Sequence, residues 1–584
     1  MVASVIIKQR QLQPEISQQL EASGLHPLLA RLFATRGVET AEQTDYRWNR
    51  LIHPKKLTQN QHAAKLLADA IEQNKNLLIV ADYDCDGATA CAVAICGLRS
   101  MGATVDFMVP NRFETGYGLS PEVIDIVLER QAVRPDLIIT VDNGIASVEG
   151  VKYAKEHGID VLVTDHHLPG DELPDAIAIV NPNQEDCGFP SKNLAGVGVM
   201  YYLLMALRAE FKQRGHFDDQ TQPRLDTLAD LVALGTVADV VKLDANNRIL
   251  VTQGLERMRK GFMRPGIRAL FKVSGTTYKT ASASDLGFRI GPRINAAGRL
   301  ADMSIGIRCL ITDDEFEAMQ LADELDKINQ QRRHIEHEMS EQALETLATE
   351  AEQNLEPLAA ICVYDDEWHQ GVVGIVASRL KEKFWRPAFA FSPADNGSDE
   401  IRGSGRSVPD VHLRDALDLV SKRHPGLIIK FGGHAMAAGL SIHKQDLDTF
   451  KQALHDAIVT MTGKHSFESV IETDGSLPNT HATTRMANML EEQVWGAGFP
   501  PPSFNDVFIV RSQRILKDKH LKLQLEKDQV VYDAIWFNHN EPLPELAHVV
   551  YELKSNEWNG QVNVQFMVRH AEAFDPTNAS KFDF

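Results

Sequence analysis

Cysteine is scarce. The six in 584 residues are Cys85, Cys91, Cys96, Cys187, Cys309 and Cys362, and no two of them form a Cys-x-x-Cys pair. This argues against a disulfide framework or a cysteine-ligated zinc module and leaves buried, reduced thiols as the expectation. No run of about 18 apolar residues is present to span a membrane. Lys8 and Arg10 interrupt the beginning before an apolar core of signal-peptide length can form, so a cytoplasmic location is expected. A positive balance is missing as well, the formal net charge being −20. As a sum this speaks against nucleic acid, but binding answers to the local field. The stretch Leu255–Lys272 sets Arg257, Arg259, Lys260, Arg264, Arg268 and Lys272 against the single acid Glu256, which leaves room for a basic groove on an acidic body. There is no internal repeat and no long low-complexity tract.

What is present is the composition of a globular protein, 43% hydrophobic and 24% charged, with length for three or four domains. Residues 1–55 read as an N-terminal helical segment. From about 60 to 245, apolar runs alternate with helical patterns. The strand candidates are Leu77–Ala81, Thr104–Val109, Leu137–Val141, Val161–Thr164 and Ile177–Val180. That alternation predicts a mostly parallel sheet with helices on both faces, whose ligands gather beyond the carboxyl ends of its strands. Residues 56–312 form the first α/β domain of this reading. Residues 313–356 contain no Pro and no Gly and predict one long connecting helix, roughly 60 Å at 1.5 Å per residue. A second α/β pattern covers 357–462. In 463–584, Leu521–Leu525 and Val562–Phe566 alternate strictly and predict a small antiparallel barrel or sandwich.

Chemistry concentrates at the strand ends. Asp82, Asp84 and Asp86 follow an apolar run at every second position, which in extended backbone places them on one side. Gly87 then turns the chain into a helical run. Leu137–Val141 ends in Asp142-Asn143-Gly144, Val161–Thr164 ends in Asp165-His166-His167, and the helical stretch Leu231–Val237 leads to Asp239. Each piece alone reads as a turn, loop or cap. On neighbouring strands they would bring carboxylates and two imidazoles into one crevice, a donor set suited to hard divalent ions. A dinuclear site of this kind lowers the pKa of a water and stabilises attacking and leaving oxygens. Asp142, at a central strand tip, is the candidate shared ligand. Asp165 is placed to orient a histidine.

The order of these motifs resembles the DHH phosphoesterase superfamily: Asp82–Gly87, Asp142–Gly144, Asp165–His167 and Gly235–Asp239 correspond to its four motifs. Gly432–Gly439 is similar to the signature of the DHH-associated domain. With its terminal barrel, the chain over roughly 25–570 resembles the superfamily's bacterial single-strand-specific DNA exonucleases. The resemblance implies a DHH phosphoesterase lobe, a long connecting helix, a DHH-associated lobe and a C-terminal OB-fold that engages DNA. It implies 5′→3′ removal of 5′-mononucleotides with two ions of Mn²⁺ or Mg²⁺, in DNA repair and recombination. The implied metal ligands are Asp82, Asp84, Asp86, Asp142, His166, His167 and Asp239. The implied partners are single-stranded DNA, a single-strand-binding protein and a helicase. Other enzymes of the superfamily are shorter and lack the barrel, and the full ligand set argues against a silent DNA-binding scaffold.

An exonuclease must hold an end, and a 5′ phosphate is best held by Arg and backbone N–H groups. Arg112, Ser404 and Arg406 are the candidates implied by the resemblance, the last two on Gly403–Ser407, which reads as a Gly-rich loop. Tyr117 is a candidate for stacking a base. Arg293 and Arg299 are candidate phosphate contacts, and His434 a candidate substrate contact. Without the resemblance, each of these Arg residues reads equally as surface charge.

Overall fold

The computed structural model describes residues 5–111, 118–130, 133–352, 358–394, 398–558 and 560–574. The chain divides into two compact units: Met1–Lys8 with Ile328–Glu472, and Gln9–Lys327 with Thr473–Phe584.

In the larger unit, a five-stranded sheet runs in the order Thr104–Met108, Asn76–Ala81, Leu137–Val141, Asp160–Thr164, Ala178–Val180, and every pair is parallel. The central strands Asn76–Ala81 and Leu137–Val141 are near-continuous apolar runs because both their faces are covered, whereas the edge strand Thr104–Met108 is half exposed. Leu77, Ile79 and Ala81 pack into the core shared with the helices Asn60–Glu72, Cys85–Ser100 and Gly196–Gln213. Leu78 and Val80 face the opposite layer, with Val123, Ile124 and Val127 of Pro121–Arg130 and Val151 of Val148–Glu156. The register aligns Ala81 with Val141 and Val141 with Thr164. Asp82, Asp142 and Asp165 therefore leave three adjacent strands at one level. The expected parallel sheet and its central strand are borne out.

The same unit holds a closed five-stranded barrel, in the order Phe504–Leu516, His520–Lys527, Val530–Trp536, Gln561–Ala573, Leu546–Trp558. Closure depends on a parallel pairing of Val530–Trp536 with Gln561–Ala573, which alternation alone does not predict. The N-terminal segment is not purely helical, since a strand, Val5–Gln9, precedes the helices Pro14–Ala22 and Pro27–Ala34. Phe33 packs beside Trp495 and Phe499. Arg36 donates to both oxygens of Asp474 at 2.8 and 2.9 Å, each side chain about 1% exposed. This buried pair ties the N-terminal helices to the segment leading into the barrel.

Several cations of the basic stretch are paired within the larger unit, while Lys260, Arg268 and Lys272 stay exposed. Arg257 pairs with Asp226, Lys260 with Glu256, Arg264 with Asp313 and Arg268 with Glu315, and Arg259 donates to the Ala281 carbonyl. The acids that neutralise these cations come mostly from distant sequence.

One uninterrupted helix, Glu315–Glu352, starts in the larger unit and ends in the smaller. Asp314 caps it by accepting the N–H groups of Phe316 and Glu317. The smaller unit is built on a mixed sheet in the order Lys430–Gly433, Ala437–His443, Glu400–Arg406, Ala388–Pro393, Ile361–Tyr364. Gly403–Arg406 is thus strand, not loop. Gly403 and Gly405 face the rings of Phe391 and Phe389, which occupy the space a Cβ would need. These glycines serve packing, and Ser404 and Arg406 take the opposite face of the strand.

Candidate active site and metal centre

The centre forms where three strands end, two helices begin and a third stops. Extended backbone does not continue through Asp82–Asp86 as the spacing suggests. The Asp84 carboxylate accepts the N–H groups of Asp86 and Gly87 at 2.9 and 3.0 Å and caps the helix Cys85–Ser100. Asp86 therefore sits in the first helical turn, where the helix dipole favours a carboxylate. Its oxygens accept the backbone N–H groups of Gly196 (2.5 Å) and Val197 (3.0 Å), the first residues of the helix Gly196–Gln213.

Asp142 follows its strand in a left-handed conformation, φ 63°, which Asp tolerates better than most residues. It is 2% exposed. Asp165 accepts four hydrogen bonds: from the N–H groups of His166 (2.7 Å) and His167 (3.1 Å), the Ile145 N–H (2.9 Å) and the His167 Nδ1 (2.7 Å). The last bond fixes the tautomer that keeps the His167 lone pair on Nε2. Asp239 ends the helix Ala229–Ala238. His166 Nε2 lies 3.1 Å from Asp142 Oδ1 and 3.5 Å from Asp239 Oδ2, yet makes no hydrogen bond of good geometry among the described residues.

Three groups of donor atoms fall within 4.8 Å of one another: Asp82, Asp84 and Asp142; Asp142, His166 and His167; Asp86, His166 and Asp239. All seven candidate ligands belong to one contiguous cluster, with Asp142 and His166 each shared by two groups. The electrostatics are those of a cation cage. Burial, reinforced by the neighbouring Asp84 charge, pushes the Asp86 carboxyl up to about 7. Burial and then the surrounding carboxylates push Asp142 and Asp239 up as well. Burial lowers His166 to about 4, so its ring is neutral at pH 7 and offers a lone pair. Burial disfavours the His167 cation, but the hydrogen bond and charge of Asp165 outweigh it and raise its pKa. Acidic oxygens that repel one another around neutral imidazole nitrogen fit divalent Mn²⁺ or Mg²⁺.

Several further residues support the centre by close packing and backbone contacts rather than as ligands. A Cβ on Gly196 would stand 2.5 Å from the Asp142 Cβ and 2.6 Å from its Oδ1. One on Gly235 would stand 2.8 Å from Asp86 Oδ1. The helix Gly291–Leu300 braces the first motif: Asn295 Oδ1 accepts the Cys85 N–H at 2.8 Å, and Gly298 lies against the Tyr83 carbonyl.

The model of the DHH family's N-terminal domain matches residues 76–236, that of the DHHA1 domain 357–460 and that of the RecJ OB domain 473–570. A single-stranded-DNA-specific exonuclease RecJ of Dickeya dadantii is 46% identical over 97% of this chain and 99% of that protein. The Escherichia coli protein of the same name is 45% identical over 93% of this chain and 95% of its own length. The chain belongs to the RecJ family. A crystal structure of RecJ from Thermus thermophilus in complex with Mn²⁺ superposes with a TM-score of 0.81, at 28% identity, over 98% of this chain and 80% of that one. A second structure of the Thermus RecJ is in complex with Mg²⁺, at 27% identity and a TM-score of 0.75, over 98% of this chain and 79% of that one. The RecJ fold expected from the motifs, with its DHH lobe, DHHA1 domain and OB barrel, is borne out, and Mn²⁺ and Mg²⁺ are the metals found in these RecJ structures.

The remaining candidates are placed unevenly. Arg112 and Tyr117 lie outside the described residues. Arg293 is buried, held by Asp326 at 2.8 Å and by the Arg289 carbonyl. Its place on the inner face of Gly291–Leu300 hides it. Arg299 is half-buried near the end of that helix. In the smaller unit, the Arg406 guanidinium donates to Ser404 Oγ at 3.1 Å. Both side chains stand over Gly374 at the start of the helix Val373–Phe384, where a Cβ would come within 2.9 Å of Ser404 Oγ. A guanidinium, a hydroxyl and a helix N-terminus together make an anion-binding arrangement. His434 is exposed in the hairpin between Lys430–Gly433 and Ala437–His443.

Proposed function

We propose that this chain is a 5′→3′ exonuclease specific for single-stranded DNA. It releases 5′-mononucleotides by two-metal hydrolysis of the phosphodiester and acts in DNA repair and recombination. The observation that carries this reading is the cluster itself: carboxylate and imidazole donors in three overlapping groups, joined through Asp142 and His166, on the scaffold of the RecJ family.

Asp82, Asp84, Asp86, Asp142, His166, His167 and Asp239 would hold two ions of Mn²⁺ or Mg²⁺. When bound, the ions supply Lewis acidity that activates water and offsets charge on the attacked phosphate. The chain's own residues do the rest. Asp142, shared by two donor groups, holds the halves of the centre together. Asp165 orients His167, and Asp86 locks the helix Gly196–Gln213 against the centre through two backbone N–H groups. His166, neutral because it is buried, contributes a nitrogen without first giving up a proton.

Ser404 and Arg406 suit a terminal phosphate, and Arg112 is assigned with them. Arg299 and His434 are assigned to the substrate backbone and Tyr117 to a base. Domain limits of 1–55, 56–312, 313–356, 357–462 and 463–584 accompany this reading, with a single-strand-binding protein and a helicase as partners. No helix among the described residues is long and apolar enough to cross a membrane. The deciding experiment digests end-labelled single- and double-stranded DNA with Mn²⁺ or with chelator. Mononucleotides released from the 5′ end of single strands only, and only with metal, are expected. Release from the 3′ end, or equal digestion of duplex, would overturn the proposal.

A further inference from the structure

Two apolar side chains beside the centre are placed where folding alone would not put them. Val240 follows Asp239 at the position just beyond the helix Ala229–Ala238, with φ 62°. That conformation belongs to Gly or Asn, and for a β-branched residue it is an outlier. The same Val240 is 71% exposed. It therefore carries backbone strain without hiding its side chain, and strain of this kind collects at functional sites.

The second side chain is Phe288. It lies on the π-helical turn Leu286–Ile290, a local geometry that recurs at functional sites. Leu286 and Ile290 are fully buried, while Phe288 points the other way and is 78% exposed. The turn is fastened to the helix end that delivers Asp239. A Cβ on Gly287 would touch Val237 at 3.3 Å, and one on Gly291 would touch Ala238 at 3.2 Å and Cys85 Sγ at 3.9 Å. Arg289, next to Phe288, keeps a side chain 57% exposed and only a loose pairing with Asp285 at 3.8 Å. The turn that carries the exposed ring and cation thus packs on the helix end that leads to the exposed aliphatic group, and the three match the composition of single-strand stacking platforms.

We propose that Phe288 and Val240 form an apolar contact for unpaired nucleobases next to the scissile phosphate, with Arg289 on the backbone. The inference rests on the nuclease reading above. It gives that reading a chemical basis for strand choice, since the faces of bases stacked in a duplex are not offered to such a platform.

The test compares the full chain with its Phe288→Ala and Val240→Asn variants in Mn²⁺. The substrates are a 5′-phosphorylated single-stranded oligonucleotide and the same strand with abasic residues at its first positions. Phe288 is exposed, so its truncation leaves the fold in place; Asn accepts the backbone conformation of Val240. Stacking is worth about 1–3 kcal/mol per base, so the parent should favour the normal strand by roughly 5- to 150-fold in kcat/KM, mostly through KM. Each variant should lose most of that preference, match the parent on the abasic strand and keep the parent's Mn²⁺-dependent rise in Tm. Equal losses on both strands, or a lost Mn²⁺ response, would show a structural role and overturn the inference. Variants indistinguishable from the parent on both strands would overturn it while leaving the nuclease reading intact. A parent inactive on the normal strand would overturn the nuclease reading and this inference with it.

Discussion

Divalent metal should stabilise this protein more at pH 8 than at pH 5.5, and the structure sets the size of the difference. The Asp86 carboxyl, ordinarily at 3.8, is raised to about 7 by burial and the neighbouring Asp84. Keeping it ionised in the metal-free fold then costs about 4 kcal/mol, at about 1.36 kcal/mol for each tenfold change in proton affinity. Because the folded value lies above the unfolded one, this cost is absent below about pH 4. It grows as pH rises and is complete above about pH 7. At pH 5.5 roughly half of it is present. A bound dication cancels the repulsion behind it. For a cooperative unit of roughly 400 residues, at about 2.1 cal/mol/K per residue, 4 kcal/mol corresponds to about 5 °C in Tm. Asp142 and Asp239, raised for the same reasons, add to the effect. His166 does not cancel it, because at about 4 it is already neutral at both pH values and has no proton to yield. The assay is a thermal melt with EDTA or with saturating Mn²⁺ at each pH. Mn²⁺ should raise Tm by at least about 5 °C at pH 8 and by about half as much at pH 5.5. An equal rise at both, or none at pH 8, would refute the repulsive-cage reasoning.

Other consequences are equally direct. Asp165→Ala frees the His167 ring and should weaken Mn²⁺ binding by about 10–100-fold, read by titration calorimetry; unchanged affinity would remove Asp165 from its orienting role. Gly196→Ala places a methyl against Asp142, so nuclease activity should fall sharply and overpacking should cost about 1–3 kcal/mol in urea unfolding. Arg406→Ala or Ser404→Ala should reduce the preference for a 5′-phosphorylated over a 5′-hydroxyl end and leave the Mn²⁺-dependent Tm rise unchanged. Asp474→Ala strands the Arg36 guanidinium, 1% exposed, and should destabilise the larger unit by about 3–5 kcal/mol without altering the metal response.

The parallel sheet was legible because its three central strands are mostly apolar runs that stop at Asp, so strand ends and donor residues announce each other. The long helix was legible from the lack of Pro and Gly. Other features depend on what packs beside a residue, which periodicity does not record. Gly196 matters because the Asp142 side chain, arriving from another strand, fills the space over it. Gly403 and Gly405 read as turn residues, yet two phenylalanine rings require them inside a strand. Arg293 reads as surface charge in the sequence, but it is buried against Asp326 of the long helix. In the basic stretch Leu255–Lys272, the partners of Arg257, Arg264 and Arg268 are Asp226, Asp313 and Glu315, which lie outside the stretch and are not marked by its composition. Asp82–Asp86 converge by a helix cap rather than by extended alternation, so the grouping was readable but its geometry was not.

The most direct test of the shared centre is Asp142→Asn, which nearly preserves volume while removing one charge from the ligand common to two donor groups. Digestion of 5′-labelled single-stranded DNA in saturating Mn²⁺ should fall by roughly a hundredfold or more, while the metal-free variant melts at or above the parent because one repelling carboxylate is gone. Digestion at the parental rate would contradict the assignment of these residues to one metal cage.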